Sequence, residues 1–276
     1  MRVLAINDVS CVGKCSLTVA LPIISACGVE CSVLPTTILS THTGGFTGYT
    51  FHDLTDEIPA ILKHWETLGL KFDYICSGYL GSISQIELVL EIKERFLADG
   101  GKFIVDPVMG DSGKLYAGFT PDYVEKMRGL CRAADYILPN DTEGCYLADM
   151  PYPLNQQTAV SALEKLKTLC KQPILTGITE NNRIFVYYAD ENGKVCHYEH
   201  ENVSGFYHGA GDVFASAFIG CLARGKAEKQ AIELSSDFVT ASIRRTAIEV
   251  EDRRYGLAFE GEIFRFLQAL NSETNG

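Results

Sequence analysis

Residues 208–219 read His208-Gly209-Ala210-Gly211-Asp212-Val213-Phe214-Ala215-Ser216-Ala217-Phe218-Ile219. Two glycines precede a run with helical apolar spacing, so the chain is expected to turn tightly there and enter a helix. The first turn of a helix carries backbone N–H groups without internal partners, and glycine lets an anion approach them closely. Asp212 falls in that same turn. A phosphate cradle with a carboxylate beside it supplies what phosphoryl transfer needs: donors for the moving group and a base for the accepting hydroxyl. Alone, the motif also fits a plain turn in which Asp212 complements the positive end of the helix dipole. The rest of the sequence has to decide.

Strand-like and helix-like runs alternate around it. Residues 3–7, 30–36, 74–77, 103–106, 136–139 and 174–176 are short, apolar and mostly β-branched. Between them, residues 16–27, 54–68, 84–98, 121–131 and 158–170 carry apolar side chains three and four apart. Thr120-Pro121 adds a capping hydroxyl and a proline at the first helical position. This alternation predicts an α/β fold, a mostly parallel central sheet with helices on both faces. A hairpin is expected at 184–189 and 194–200, joined across Asn192-Gly193, with long helices at 226–245 and 261–270. No repeat, linker or low-complexity segment interrupts residues 1–276, which read as one domain.

Hydrophobic residues make up 46% and charged ones 21% of the 276, enough to bury a large core and unlike a disordered chain. The net charge of −11 argues against nucleic acid or an anionic membrane as partner, so any phosphate must be held by local donors and metal. The apolar region 19–33 is interrupted by Gly28 and Glu30 and is too short to span a membrane. The opening Met1-Arg2-Val3-Leu4-Ala5-Ile6 reads as a strand rather than a signal peptide, and a cytoplasmic location is expected. Most of the ten cysteines lie in apolar contexts, with no Cys-x-x-Cys pair and no flanking histidine pair. Reduced thiols fit better than zinc ligands.

In open α/β sheets, ligands sit outside the carboxyl ends of the strands. Asn7-Asp8, the loop 40–49, Ser77-Gly78-Tyr79, residues 106–111, residues 140–143 and Thr176-Gly177 would share that rim with the glycine turn. Asp106 and Asp111 stand five apart, with Pro107 and Gly110 shaping the backbone between them; Asn140-Asp141-Thr142-Glu143 leaves the next strand and enters a helix. Carboxylate and amide oxygens are hard ligands suited to magnesium, which keeps several waters and bridges to substrate phosphates. Each also has a plainer reading as a helix start or turn cap. Gathered at matching strand ends with the glycine turn, they favour metal and phosphate. Gly13-Lys14-Cys15-Ser16 is not a P-loop, because Asp8 stands at the leading glycine position and Cys15 replaces the hydroxyl residue. No Gly-x-Gly-x-x-Gly follows the first strand, which argues against a nicotinamide cofactor.

Four pieces carry a resemblance: Ser77-Gly78-Tyr79-Leu80-Gly81-Ser82, Asp106-Pro107-Val108-Met109-Gly110, Pro139-Asn140-x-x-Glu143 and Gly209-x-Gly211-Asp212, with Ser40-Thr41-His42-Thr43-Gly44 as a fifth. Over about residues 2 to 250 the chain resembles the ribokinase-like superfamily and, within it, the vitamin B6 kinases. The Gly-Ala-Gly-Asp piece is shared with sugar and hydroxymethylpyrimidine kinases; the Ser-Gly-Tyr-Leu-Gly-Ser and His-Thr-Gly pieces favour B6 kinases.

The resemblance implies a three-layer sandwich and ATP-dependent transfer to the 5′-hydroxymethyl group of pyridoxal, pyridoxine or pyridoxamine. It implies that Asp212 accepts the hydroxyl proton and that the N–H groups of Gly209, Ala210 and Gly211 stabilise charge on the phosphoryl oxygens. Asn140 and Glu143, with Asp106 and Asp111, would organise Mg2+ through water. Thr176 and Gly177 would lie against the nucleotide phosphates, with the helix from Lys226 onward bordering adenine. His42, Thr43 and Tyr79 would enclose the pyridine ring. A homodimer is implied as well, and dependence on a monovalent cation stays open. Asp8 stands where B6 kinases carry a serine beside the pyridine nitrogen. A carboxylate there would favour a protonated ring nitrogen, or mark another ring such as an aminopyrimidine, or a shifted alignment. The alternatives are a hydroxymethylpyrimidine or sugar kinase of the same fold, and a non-catalytic nucleotide- or vitamer-binding protein, to which Asp212 would be of little use.

Overall fold

Along the first strand, β1 (Arg2–Ser10), successive side chains point to opposite faces, and both faces are buried. Leu4 and Ile6 belong to one hydrophobic cluster, Val3 and Ala5 to another. That is the pattern of an interior strand covered on both sides. The computed structural model describes residues 1–272. After β1 come α1 (Leu17–Ala26), β2 (Glu30–Leu39), β3 (Phe51–Asp53), α2 (Ile58–Thr67), β4 (Phe72–Ser77), α3 (Ile83–Phe96) and β5 (Leu97–Val105). The middle of the chain forms β6 (Gly110–Asp111), β7 (Lys114–Leu115), α4 (Pro121–Arg132), β8 (Tyr136–Ile137), α5 (Asp141–Ala148) and α6 (Gln156–Leu166). Then follow β9 (Gln172–Pro173), β10 (Leu175–Glu180), β11 (Arg183–Ala189), β12 (Val195–Glu201), α7 (Ala210–Ala223), α8 (Glu228–Glu249) and α9 (Ile263–Asn271).

Among the described residues, the central sheet has the order β3-β2-β1-β4-β5-β8-β9, and every pair is parallel except β2 with β3. Residues of α2 to α6 pack in the cluster that holds Leu4 and Ile6, and those of α1, α7, α8 and α9 in the other. This is the three-layer α/β sandwich. The chain builds outward from β1 through β2 to β3, then crosses to β4 on the other side. The strand order therefore reverses between β1 and β4, the place where such sheets open a crevice. Ile6 pairs with Ser77 and Ser77 with Val105, so Asn7, Gly78 and Asp106 stand at one level, where β4 and β5 end.

One expected strand has a second partner. Residues 174–176 carry on the parallel contact of β9, Ile174 N–H donating to the Ile137 carbonyl and Thr176 N–H to that of Pro139, but from Leu175 the chain also pairs with β11. Gly177, at φ 78°, lies where the register with β11 shifts between Leu175 and Ile178. A bulge of that kind bends a strand away from its neighbours. The result is a separate antiparallel sheet, β10-β11-β12. β3 and the β6–β7 pair are additions that periodicity could not announce, being two or three residues long. Among the described residues no helix is long and apolar enough to cross a membrane.

Candidate active site

Gly209 caps α7 at φ 79°, in the left-handed region. A β-carbon there would lie 2.4 Å from the Lys14 carbonyl oxygen, so glycine is demanded by both conformation and space. No side chain caps α7. Its first-turn N–H groups are left for another partner, as the glycine turn requires. Gly211 differs from Gly209: its missing β-carbon would meet nothing within 4 Å.

Gly209, Ala210, Gly211 and Asp212 line a cavity of about 340 Å3 at the edge where the strands end. Asp106, Asp111, Asn140, Glu143, Thr176, Gly177 and Tyr79 line it too. The rim residues read from strand ends thus converge on one space. Ile184 and Val186 of β11, with Val239 and Ile243 of α8, give it an apolar stretch. A larger cavity of about 480 Å3 lies among β12, α8 and α9. Two of its arginines, Arg183 and Arg244, are paired with Glu199 and Glu201, and neither the glycine turn nor a carboxyl strand end of the central sheet reaches it. The smaller cavity is where the chemistry-bearing residues are.

Burial pushes the Asp212 carboxyl up to about 7, and the negative charge of Asp8 adds to the rise. The main-chain N–H of Ser16 and the amide of Asn7, whose Nδ2 donates to Asp212 Oδ1 at 3.5 Å, act in the other direction. A carboxyl poised near neutrality is matched to accepting a proton from an alcohol. Asp106 is driven well above the ordinary carboxylate range by burial and by repulsion from Glu143 and Asp212.

Glu143 is tied on both oxygens. Oε1 accepts from Met109 N–H at 3.1 Å and Oε2 from Asn140 N–H at 3.0 Å. Asn140 returns the bond by accepting from Glu143 N–H at 2.9 Å and donates to the Gly110 carbonyl at 3.0 Å. This capping box straps the loop after β5 to the start of α5. Among the described residues no three histidine, cysteine, aspartate or glutamate side chains converge as a metal-binding group. Asp106, Asp111 and Glu143 therefore do not form a closed inner shell. Their oxygen chemistry suits a magnesium ion that keeps its waters and arrives with phosphates.

The acceptor-side expectations fare differently. Tyr79 reaches the cavity, backed by Phe119 with ring centroids 5.9 Å apart. His42 and Thr43 do not line it. His42 Nδ1 accepts from Gly44 N–H at 3.1 Å and Nε2 contacts the Arg254 carbonyl at 2.6 Å, which leaves neither ring nitrogen for a ligand. Thr43 is exposed. Asp8 is only 5% exposed and is not among the residues that line the cavity; its two oxygens accept from the hydroxyls of Ser16 and Ser10. His208, beside the glycines, does line the cavity, and burial holds its imidazole below the usual value.

Two contributors escaped the sequence reading. Asn7 was placed on the rim without a task, yet its Oδ1 accepts from Tyr79 N–H at 2.8 Å while its Nδ2 holds Asp212. The available signal was Gly78, whose β-carbon would fall 2.2 Å from Asn7 Nδ2. Ser16, dismissed with the failed P-loop, lines the cavity and turns its N–H toward Asp212.

Known proteins resemble this arrangement. The Bacillus subtilis pyridoxine kinase is 30% identical over 190 residues, covering 65% of this chain and 67% of that one. The Dictyostelium discoideum pyridoxal kinase is 27% identical over 55% of each. The crystal structure of Lactobacillus plantarum pyridoxal kinase superposes with a TM-score of 0.88 at 34% identity, covering 97% of this chain and 96% of that one. A Bacteroides thetaiotaomicron protein crystallised with pyridoxal gives 0.90 at 33%, covering 100% and 97%. Residues 21–257 match the phosphomethylpyrimidine kinase family. On these matches, and with the fold and cavity described, the chain belongs to the phosphomethylpyrimidine kinase family of ribokinase-like small-molecule kinases.

Proposed function

We propose that the chain transfers the γ-phosphoryl group of ATP to the 5′-hydroxymethyl group of a vitamin B6 vitamer. The observation that carries this reading is Asp212 beside the uncapped amides of α7, both on one cavity wall at the strand-order reversal. The acceptor class is supported by relatives named as pyridoxine and pyridoxal kinases and by a similar protein that holds pyridoxal.

In this reading the acceptor oxygen attacks the γ-phosphorus in line as the bond to the ADP oxygen breaks, and its proton passes to Asp212. The N–H groups of Gly209, Ala210 and Gly211 receive the charge that builds on the phosphoryl oxygens. Asp106, Asp111 and the Asn140–Glu143 cap would hold a nucleotide-bound magnesium ion through its waters, where it would neutralise phosphate charge. Thr176 and Gly177 lie against the phosphates, and the apolar stretch from β11 and α8 flanks the base. Tyr79 faces the acceptor ring. A cytoplasmic homodimer belongs to the same reading. It is supported by the free cysteines among the described residues and by Ile38 and Phe51, exposed on the β2–β3 edge.

Because Asp212 must be ionised to take the proton, kcat/KM is expected to rise through neutrality and level off above it. Below about pH 7 it should fall roughly tenfold per unit. A pH–rate profile that stays flat from about pH 5 to 8 removes Asp212 as the base. The family's own name points to a methylpyrimidine as the second acceptor class to weigh, here hydroxymethylpyrimidine. Coupled ADP release with pyridoxal, pyridoxine, pyridoxamine, hydroxymethylpyrimidine and ribose separates them. A B6 vitamer is expected to lead by about tenfold or more in kcat/KM. A lead by the pyrimidine or the sugar reassigns the acceptor, and binding without ADP release makes the chain a non-catalytic binder.

A further inference from the structure

Ser16 adopts φ 53° and ψ −130°, a backbone conformation that glycine favours and a β-carbon resists. It is not in an exposed turn. Ser16 is 6% exposed, lines the cavity and directs its main-chain N–H at Asp212. Although it precedes the first residue of α1, its side chain makes no capping hydrogen bond to that helix. The hydroxyl has given up the usual task of a serine in this position. Instead Oγ donates to Asp8 Oδ1 at 2.5 Å, while Ser10 Oγ donates to Asp8 Oδ2 at 3.0 Å.

The surroundings fix the rest of this loop from outside. Gly209, at the start of the amide turn, packs on the Lys14 carbonyl, and Gly256 packs on the Lys14 backbone from another direction. Lys14 N–H donates to the Tyr255 carbonyl at 3.0 Å. Asp8 is itself held, its N–H donating to Asn7 Oδ1 at 3.0 Å, and Asn7 is the residue whose Nδ2 reaches Asp212. The side chain that grips Ser16 and the side chain that grips Asp212 are thus neighbours at the end of β1. Asp8 touches no part of the cavity, so its task has to be found in what it holds.

We propose that Asp8 is a positioning residue: by binding the Ser16 hydroxyl, it keeps the strained loop before α1 in the conformation that fixes the Asp212 carboxylate for proton transfer. The inference rests on Asp212 being the base. A carboxylate in this place also has a rival task, to act on Asp212 by its charge alone. The two differ in what position 16 must be. Glycine adopts the observed φ without a tether. If Asp8 works through Ser16, glycine at position 16 makes Asp8 dispensable for turnover; if it works by charge, glycine changes nothing.

The test is a double-mutant cycle on the full chain, with kcat and the KM for ATP measured on the best acceptor. Asp8→Ala is expected to lower kcat about tenfold or more with Ser16 present, and less than about threefold in the Ser16→Gly background, with KM for ATP steady. Asp8→Asn keeps an oxygen for the Ser16 hydroxyl and an amide for Ser10, and should retain most of the turnover. Ser16→Ala, which keeps the β-carbon but loses the tether, should lose about tenfold more than Ser16→Gly; this comparison stands even if Asp8→Ala fails to fold. Equal losses from Asp8→Ala in both backgrounds, or a loss in Asp8→Asn as large as in Asp8→Ala, overturn the proposal. Asp212→Asn runs beside them. If it abolishes turnover while the cycle shows no coupling, the positioning role falls and the base stands; if it leaves turnover intact, both fall.

Discussion

Asp212→Asn is expected to lower kcat by about 10²–10⁴-fold while ATP affinity stays within about twofold. Asparagine keeps the size of the side chain and can still meet the Asn7 amide, so the cavity wall should hold its shape. What it loses is the capacity to take the hydroxyl proton. Single-turnover ADP formation together with nucleotide titration by calorimetry checks both halves. Turnover within threefold of the parent protein would leave proton transfer to solvent or to His208, and Asp212 would keep only a place at the positive end of α7.

Gly209→Ala is expected to lower kcat by about 10²–10³-fold, the range associated with the loss of one oriented anion-hole donor. Two causes act together. Alanine at φ 79° carries about 1–3 kcal/mol of backbone strain. Its methyl group would also lie 2.4 Å from the Lys14 carbonyl oxygen, a backbone atom that cannot rotate aside. The turn has to shift, and with it the amides that face the cavity. Gly211→Ala makes the informative partner, since its methyl group meets nothing within 4 Å. Thermal unfolding should show Gly209→Ala destabilised and Gly211→Ala near the parent, while both lose turnover, Gly209→Ala because the amide turn shifts and Gly211→Ala because its methyl group occupies open space at the phosphate's approach. Equal melting temperatures and undiminished turnover for Gly209→Ala would show that the turn bears no transition-state charge.

The fold was legible where local chemistry and tertiary packing agree. The unbroken apolar run Val3–Ile6 in β1 fits a strand buried on both faces, and Thr120 caps its helix as expected by accepting from Tyr123 N–H, while Asn140, at the expected helix start, accepts from Glu143 N–H. The rule that ligands gather at carboxyl strand ends was enough to bring Asp106, Asp111, Asn140, Glu143 and the glycine turn to one cavity. What stayed hidden depends on partners far away in sequence. His42 looked like a ligand residue in its loop, yet its ring nitrogen is held by the carbonyl of Arg254, 212 residues on. Asp8 looked open to substrate because nothing in its neighbourhood forecasts that Ser16 would fold back onto it across eight residues. The departure of the chain from the central sheet at Gly177 was masked by an apolar run that reads equally well as a strand in either sheet.

The reversal of strand order between β1 and β4 also divides responsibility along the chain. Tyr79 and Asp106 come from the first half, on the ends of β4 and β5, whereas the amide turn and Asp212 ride together on α7, whose buried face is locked against α1 and α8. Loops that recognise the molecule to be modified, such as the one that carries Tyr79, can therefore diverge as long as Asn7, Asp8 and Ser16, which hold Asp212 from the same half, are kept. A scaffold built in this way can retarget its chemistry to new alcohols through a few loop positions while the residues beneath the base stay fixed.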